Sequence, residues 1–122
     1  MPKTILIVDD SSSVRQQVAN ALHAAGFNTV EAEDGRMGAA SIEQNAAIAM
    51  VVCDVNMPYM NGIEMVQAVK SKPQFSKLPI LMLTTEGQPA LIKQAKAAGA
   101  VGWMVKPFNA GQLVAAAKQL TQ

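Results

Sequence analysis

Short apolar runs separated by longer amphipathic segments are the main pattern of this 122-residue chain. The clearest run, AMVVC, covers residues 49–53, leads directly into Asp54, and is followed by Pro58 and the turn dipeptide Asn61-Gly62. An unbroken apolar run predicts a strand buried on both faces, as in a parallel sheet. Because Pro58 prevents the strand from continuing, we expect Asp54 at its carboxyl end. From this segment alone, Asp54 is either a functional carboxylate or a cap for the following loop or helix.

The other segments of the chain repeat this alternation of strand and helix patterns. Four more apolar runs predict strands, and the segments after the runs carry apolar residues three and four positions apart, which predicts amphipathic helices. In the second helix we expect Met37 and Ile42 to face the core. The predicted strands are β1 (4–8), β2 (27–32), β3 (49–53), β4 (78–83) and β5 (101–105). The predicted helices are α1 (from Ser11 or Ser12 to Gly26), α2 (36–44), α3 (from Gly62 to the break at Lys72-Pro73), α4 (89–98) and α5 (capped by Asn109).

This order of elements predicts an α/β fold. Alternating strands and helices require a parallel sheet with right-handed connections. We therefore predict a flavodoxin-like, three-layer α/β/α sandwich whose five-stranded parallel sheet has the order 2-1-3-4-5. In that order β1 and β3 are neighbours whose helices leave to opposite faces, which opens a crevice between their carboxyl ends. The length suits one hydrophobic core, so we expect a single domain over residues 1–122.

Composition excludes several classes of protein. Half of the residues are hydrophobic and only 16% are charged, which is typical of a folded domain rather than a disordered one. No apolar run approaches the roughly 20 residues of a membrane helix, and the first residues lack the features of a signal peptide. The single cysteine, Cys53, cannot form an internal disulfide and is expected to be an inert core residue. We expect a cytoplasmic protein without membrane contact.

The acids and bases of the chain are unevenly distributed. All nine acids lie between Asp9 and Glu86, and residues 87–122 contain none. This pattern is compatible with an ordinary solvated face, or with a mildly basic surface for an acidic partner. The basic residues are too sparse for a nucleic-acid interface. The four lysines of the acid-free segment are Lys93, Lys96, Lys106 and Lys118.

Residues suited to phosphate and metal chemistry follow four of the predicted strands. Two unit negative charges about 4 Å apart repel by about 4 kcal/mol at an effective dielectric constant near 20, so three clustered carboxylates call for a cation or for raised carboxyl pKa values. An all-oxygen site with open positions suits Mg²⁺ and a phosphate, whose other oxygens a lysine and a threonine could contact. The alternative is an ordinary salt-bridge cluster. The residues are Asp9 and Asp10 after β1, Asp54 after β3, Thr84 after β4 and Lys106 after β5.

Four segments of the chain resemble the signatures of the response-regulator receiver domain. They are IVDDSSSVR, VVCDVNMPYMNG, LMLTTEG and WMVKPF, and together they span nearly the whole chain. Two further segments, AAGFNTVEAEDG and AAGAVGWMVKPFNAGQL, are similar to the chemotaxis (CheY) subgroup. Chemotaxis receivers are themselves an example of the strand order 2-1-3-4-5, so the resemblance and the predicted fold are not independent.

The resemblance implies a phosphoacceptor signalling protein rather than an enzyme in the usual sense. In this family the aspartate at the position of Asp54 takes a phosphoryl group from a histidine kinase in a Mg²⁺-dependent reaction. Asp10 and Asp54 would bind Mg²⁺ through their carboxylates, Asn56 through its backbone carbonyl, and Asp9 through water. Lys106 would complete the contacts to the phosphoryl group, which fits a reaction catalysed by positioning and electrostatic stabilisation.

The resemblance also implies that the protein removes its own phosphoryl group. In this family the side chains at the positions of Asn56 and Glu86 flank the route of the attacking water. Thr85 departs from the usual alanine or glycine, and its extra bulk is expected to narrow access and slow the loss of phosphate. The family further suggests a cis peptide bond at Lys106-Pro107.

A conformational switch is the third implication of the resemblance. Thr84 would move toward the new phosphoryl charge, and the aromatic residue on β5 would turn inward. That residue here is Trp103, where tyrosine or phenylalanine is usual, so two interpretations stay open: inward packing, or an aromatic that stays outside to bind a partner. Either way we expect Trp103 beside the acid-free helices α4, which carries Lys93 and Lys96, and α5, so the α4–β5–α5 face is the expected docking surface.

The sequence leaves the downstream partner open. We expect a monomer whose phosphorylation changes its binding to a separate protein, the flagellar motor switch if the chemotaxis resemblance is functional. The alternative is a stand-alone receiver that acts as a phosphate sink or regulates another pathway. An enzyme of the aspartyl-nucleophile phosphatase class is disfavoured, because such enzymes place a second acid where Asn56 stands.

Overall fold

A computed structural model describes residues 2–122 of the chain. Over these residues the helices run from 9 to 13 residues, and none combines the length and apolar character that crossing a membrane requires. The strands are β1 Thr4–Val8, β2 Asn28–Ala32, β3 Ile48–Cys53, β4 Ile80–Thr84 and β5 Gly102–Val105. The helices are α1 Ser12–Ala24, α2 Gly35–Gln44, α3 Gly62–Lys70, α4 Pro89–Ala98 and α5 Ala110–Leu120, with a short 3-10 helix at Pro73–Phe75.

The strands form one parallel sheet in the order β2-β1-β3-β4-β5. This confirms the predicted α/β fold and its strand order. At the carboxyl edge Val8 lies opposite Cys53, and Thr84 lies opposite Val105. Because the strands are parallel, the residues that follow β1, β3, β4 and β5 emerge at the same edge of the sheet.

Each face of the sheet is covered by its own hydrophobic cluster. One cluster includes Leu6, Val51 and Met82 from the strands with side chains from α2, α3 and α4. The other includes Ile7 and Val52 with side chains from α1 and α5. Alternate residues of β1 and β3 therefore point to opposite layers, which explains why their sequences are apolar throughout rather than alternating.

Side-chain caps fix the starts of several helices. Ser11 accepts a hydrogen bond from the Val14 amide and caps α1, and Asn109 caps α5, as the sequence predicts. Asn61 does more than mark a turn: with Glu64 it forms a reciprocal capping box at the start of α3. Such caps satisfy backbone amides that have no partner within the helix, so they set where α3 leaves the sheet edge.

The prediction that Met37 faces the core is wrong. Met37 is 47% exposed, whereas Ile42 is 2% exposed and buried as predicted. The inner face of α2 is formed instead by Gly35, Gly38 and Ile42. A Cβ on Gly38 would lie 3.0 Å or less from side-chain atoms of Val8 and Met65, so α2 lies too close to the sheet to bury a larger residue there.

Candidate functional site

Three carboxylates meet at the carboxyl edge of the sheet. Asp9 and Asp54 are buried, with 3% and 6% exposure, and Asp10 is exposed. One carboxylate oxygen of each lies within 4.8 Å of the others. The β1–β3 register brings them together, because the residues before Asp9 and Asp54 lie directly opposite each other in the sheet.

Backbone amides orient the two buried carboxylates. The Ser11 amide donates to Asp9 Oδ1 at 2.9 Å, and the Val55 amide donates to Asp54 Oδ1 at 2.8 Å. The second oxygen of each carboxylate, Oδ2, faces Lys106. Each acid therefore has one oxygen fixed by the backbone and one directed into the shared site.

Lys106 joins the two buried acids. Its Nζ lies 2.7 Å from Asp9 Oδ2 and 3.4 Å from Asp54 Oδ2, and its backbone amide donates to the Thr84 carbonyl at 2.8 Å. Burial favours the neutral amine, but the hydrogen bond to Asp9 and the negative charges of Asp54 and Asp9 outweigh it, so the pKa of Lys106 is raised. The lysine is thus held in its charged form, and its bond to Pro107 is cis.

The donor set of this cluster fits Mg²⁺. It consists of the carboxylate oxygens of three acids, of which Asp9 and Asp54 pair with the ammonium of Lys106, so the cluster has an excess of negative charge. Mg²⁺ prefers one or two protein carboxylates with remaining positions for water and phosphate. The exposure of Asp10 leaves one side of the cluster open to such ligands.

Glu86 connects the remaining predicted site residues. Its carboxylate Oε1 accepts a hydrogen bond from Asn56 Nδ2 at 2.7 Å, and its backbone amide donates to Thr84 Oγ1 at 3.3 Å. The indole Nε1 of Trp103 donates to the Glu86 carbonyl at 2.9 Å. Trp103 itself is half-buried and packs against the core, so its ring is neither fully inside nor free in solvent.

Thr85 borders a different cavity from the one lined by Asn56 and Glu86. It is exposed and lines an apolar cleft of about 480 Å³ together with Lys106, Pro107 and Phe108. Thr85 and Glu86, which are consecutive residues of the β4–α4 loop, therefore line two different clefts. Lys93 and Lys96 are exposed on α4 and lie outside the carboxylate cluster.

Sequence reasoning missed Arg15. Its Nη1 donates to the Asp9 carbonyl at 2.6 Å, and its Nε donates to Glu31 Oε1 at 2.9 Å. Arg15 thereby ties the end of β1 to β2 through α1. No spacing rule identifies these contacts, because Arg15, Asp9 and Glu31 come close only after the sheet has formed. The one sequence feature that could have indicated a role for Arg15 is its position one helical turn after Ser11.

The chain belongs to the response regulator receiver domain family. The family model of that description matches residues 5–118, which is most of the chain. The family predicted from the sequence is therefore confirmed, and the acidic cluster of Asp9, Asp10 and Asp54 offers the kind of pocket in which receiver domains bind Mg²⁺.

Several proteins similar to this chain are named as chemotaxis proteins. The chain is 41% identical over 106 residues to the chemotaxis protein CheY1 of Helicobacter pylori, covering 86% of each chain. It is 39% identical to the chemotaxis protein CheY homolog of Campylobacter jejuni, covering 86% of this chain and 82% of that one. The solved structure of Vibrio cholerae CheY4 superposes with a TM-score of 0.91 at 42% identity, covering 98% of this chain and 99% of that one.

Proposed function

We propose that Asp54 is the phosphoacceptor of this receiver domain. The observation that carries the proposal is the placement of the buried Asp54 carboxylate within 4.8 Å of Asp9 and Asp10, with Lys106 Nζ 3.4 Å from its Oδ2. A carboxylate is a competent nucleophile toward phosphorus, and an adjacent ammonium stabilises the charge of the phosphoryl oxygens.

The transfer step takes the phosphoryl group from a histidine kinase. A carboxylate oxygen of Asp54 attacks phosphorus, the new P–O bond forms, and the P–N bond to the donor imidazole breaks with its electron pair left on nitrogen. The Val55 amide keeps the Asp54 carboxylate oriented during the attack, and Lys106 is placed to contact a phosphoryl oxygen. Asp9, Asp10, Asp54 and the Asn56 carbonyl would hold Mg²⁺, which when bound neutralises charge on the transferred group.

Hydrolysis returns the protein to its starting state. A water attacks phosphorus, the bond to the Asp54 oxygen breaks, inorganic phosphate leaves, and the Asp54 carboxylate is regenerated. Asn56 and Glu86 flank the proposed route of this water, and their hydrogen bond of 2.7 Å joins the loops after β3 and β4. Thr85, on the other side of the β4–α4 loop, limits access from the side of Lys106.

The phosphoryl signal would be read on the α4–β5–α5 face by a separate protein. Phosphorylation adds about −1.5 to −2 charges at pH 7, and the fully buried Thr84 lies at the end of β4, beside β5. Its hydroxyl is connected to Trp103 through Glu86. Exposed Lys93 and Lys96 give this face a basic character. Because the relatives are named as chemotaxis proteins, we propose the flagellar motor switch as the partner. The protein would act as a monomer in the cytoplasm.

A binding measurement tests this function. Beryllofluoride with Mg²⁺ should mimic the phosphorylated state and raise the affinity for the flagellar motor switch protein, compared with the same protein without fluoride. The Asp54→Asn variant should show no increase. Labelling of Asp54 without any change in affinity would favour a phosphate sink or another pathway.

A further inference from the structure

Glu86 is hydrogen-bonded on three sides by residues of three different segments. Its amide donates to Thr84 Oγ1, its carbonyl accepts from Trp103 Nε1, and its carboxylate accepts from Asn56 Nδ2. Hydrogen bonds therefore hold both the amide and the carbonyl of the Glu86 backbone in place. Its side chain consequently starts from a fixed position when it reaches across to Asn56.

The Asn56–Glu86 pair forms part of the wall of a polar cleft. The cleft has a volume of about 380 Å³, lies between the starts of α3 and α4, and is also lined by Asn61, Glu64 and Gln88. Asn56 lies two residues after Asp54, and Glu86 two residues after Thr84. The pair thus joins the loops that follow two neighbouring strands, at the edge of the sheet where Asp54 follows β3.

While the pair is closed, one donor of Asn56 and one acceptor of Glu86 are occupied by each other. The amide hydrogen of Asn56 and the carboxylate oxygen of Glu86 that form the 2.7 Å bond are not available to hold a water molecule. Opening the pair releases a donor and an acceptor beside the proposed route of the hydrolytic water. A closed pair therefore favours a long-lived phosphoryl group.

We propose that Trp103 is a positioning residue that prolongs the lifetime of the phosphoryl group on Asp54. Its indole N–H holds the Glu86 backbone, and through it the Glu86 carboxylate, in place against Asn56. The indole suits this role because it carries one donor of fixed direction and no acceptor, whereas phenylalanine carries none. This inference rests on the proposed function, since it concerns the loss of the group that Asp54 accepts.

The position of Trp103 gives the inference a consequence for signalling. The same ring lies on the strand of the proposed docking face, half-buried against the core. A partner that draws the indole away from the Glu86 carbonyl would open the Asn56–Glu86 pair. Binding at that face would then shorten the life of the phosphorylated state.

The test measures loss of radiolabelled phosphate after acetyl phosphate and Mg²⁺ have labelled the protein and the donor has been removed. Trp103→Phe should lose label about 2- to 10-fold faster than wild type, the range expected for one neutral hydrogen bond. Met104→Leu is the matched control, since Met104 is the next residue of β5 and packs into the other cluster. Its rate should equal that of the wild type.

Two further measurements separate positioning from general damage to the fold. Trp103 is the only tryptophan of the chain, so biosynthetic replacement by benzothienylalanine removes the N–H at this position alone while keeping the ring shape; it should accelerate loss as Trp103→Phe does. In a Glu86→Ala background, Trp103→Phe should have no additional effect, because residues acting through one partner are not additive.

The outcomes are distinguishable. If wild type and the benzothienylalanine protein lose label at the same rate, or if Trp103→Phe acts equally in the Glu86→Ala background, the positioning role is wrong. If no label reaches Asp54 in any of these proteins, the proposed function itself fails.

Discussion

The Asp54 carbonyl oxygen lies against Gly62, at the place where a side chain on Gly62 would begin. A Cβ built there would be closer to that oxygen than 3.0 Å, a distance that Cβ atoms essentially never show. The Gly62 amide also donates to the Val55 carbonyl at 2.9 Å. The start of α3 is therefore packed directly onto the backbone of the proposed phosphoacceptor.

Replacing Gly62 by alanine should displace the Asp54 peptide or the start of α3. We expect a loss of about 1–3 kcal/mol in the free energy of unfolding, as for other overpacked sites, measured by urea denaturation. Gly87→Ala is the control, because a Cβ there meets only Val105 at an ordinary 3.8 Å. Equal stability of the two variants would contradict the close packing.

Replacing Lys106 by methionine should make the fold more dependent on Mg²⁺. Without Lys106, Asp9 and Asp54 face each other with no ammonium between them, so stability in EDTA should fall by about 1–3 kcal/mol, less than for a fully buried pair because the cluster is open on one side. Mg²⁺ should then raise the melting temperature of the variant more than that of the wild type, since ammonium and metal compete for the same charge.

The control for this effect is Lys93→Met, which removes an exposed lysine away from the cluster. Its response to Mg²⁺ in the same thermal melts should match that of the wild type. An identical response of Lys106→Met and wild type would argue against a metal at these carboxylates.

Replacing Thr85 by alanine should speed the loss of phosphate from Asp54. Thr85 is exposed on the Lys106 side of the β4–α4 loop, and we expect its bulk to restrict access. The Thr85→Val variant keeps the shape without the hydroxyl, so it should decay like the wild type in the same radiolabel assay. If valine decays as fast as alanine, the hydroxyl rather than the bulk is responsible.

Replacing Lys70 by methionine should destabilise the loop between α3 and β4. Lys70 Nζ donates to three backbone carbonyls, those of Phe75 at 3.0 Å, Ser76 at 3.1 Å and Leu78 at 2.6 Å, although burial lowers its pKa. Their loss should cost about 1–3 kcal/mol in urea denaturation. Lys77→Met, at an exposed position of the same loop, should change stability little.

The strand order and the meeting of Asp9, Asp10 and Asp54 could be predicted because they depend on patterns that are local in sequence. Unbroken apolar runs mark buried strands, and parallel strands deliver their next residues to one edge. Lys106 and Thr84 follow by the same rule, and both reach that edge in the structure.

The contacts of Arg15, Lys70 and Met37 could not be predicted in this way. Arg15 and Lys70 bond to backbone carbonyls of other segments, and any exposed carbonyl in the chain was an equal candidate before folding. Met37 was misassigned because it and Ile42 are the only large apolar residues of α2, whose close packing against the sheet depends on glycines rather than on large side chains. Trp103 could be placed on β5, but its bond to the Glu86 carbonyl depends on the path of the β4–α4 loop.

The most direct test of the central claim is to locate the phosphoryl group after treatment with acetyl phosphate and Mg²⁺. Intact-mass spectrometry and peptide mapping should find one phosphoryl group on Asp54 in the wild type, none in EDTA, and none in a folded Asp54→Asn variant. An equal amount of label in Asp54→Asn, or label on a different residue of the wild type, would contradict the account.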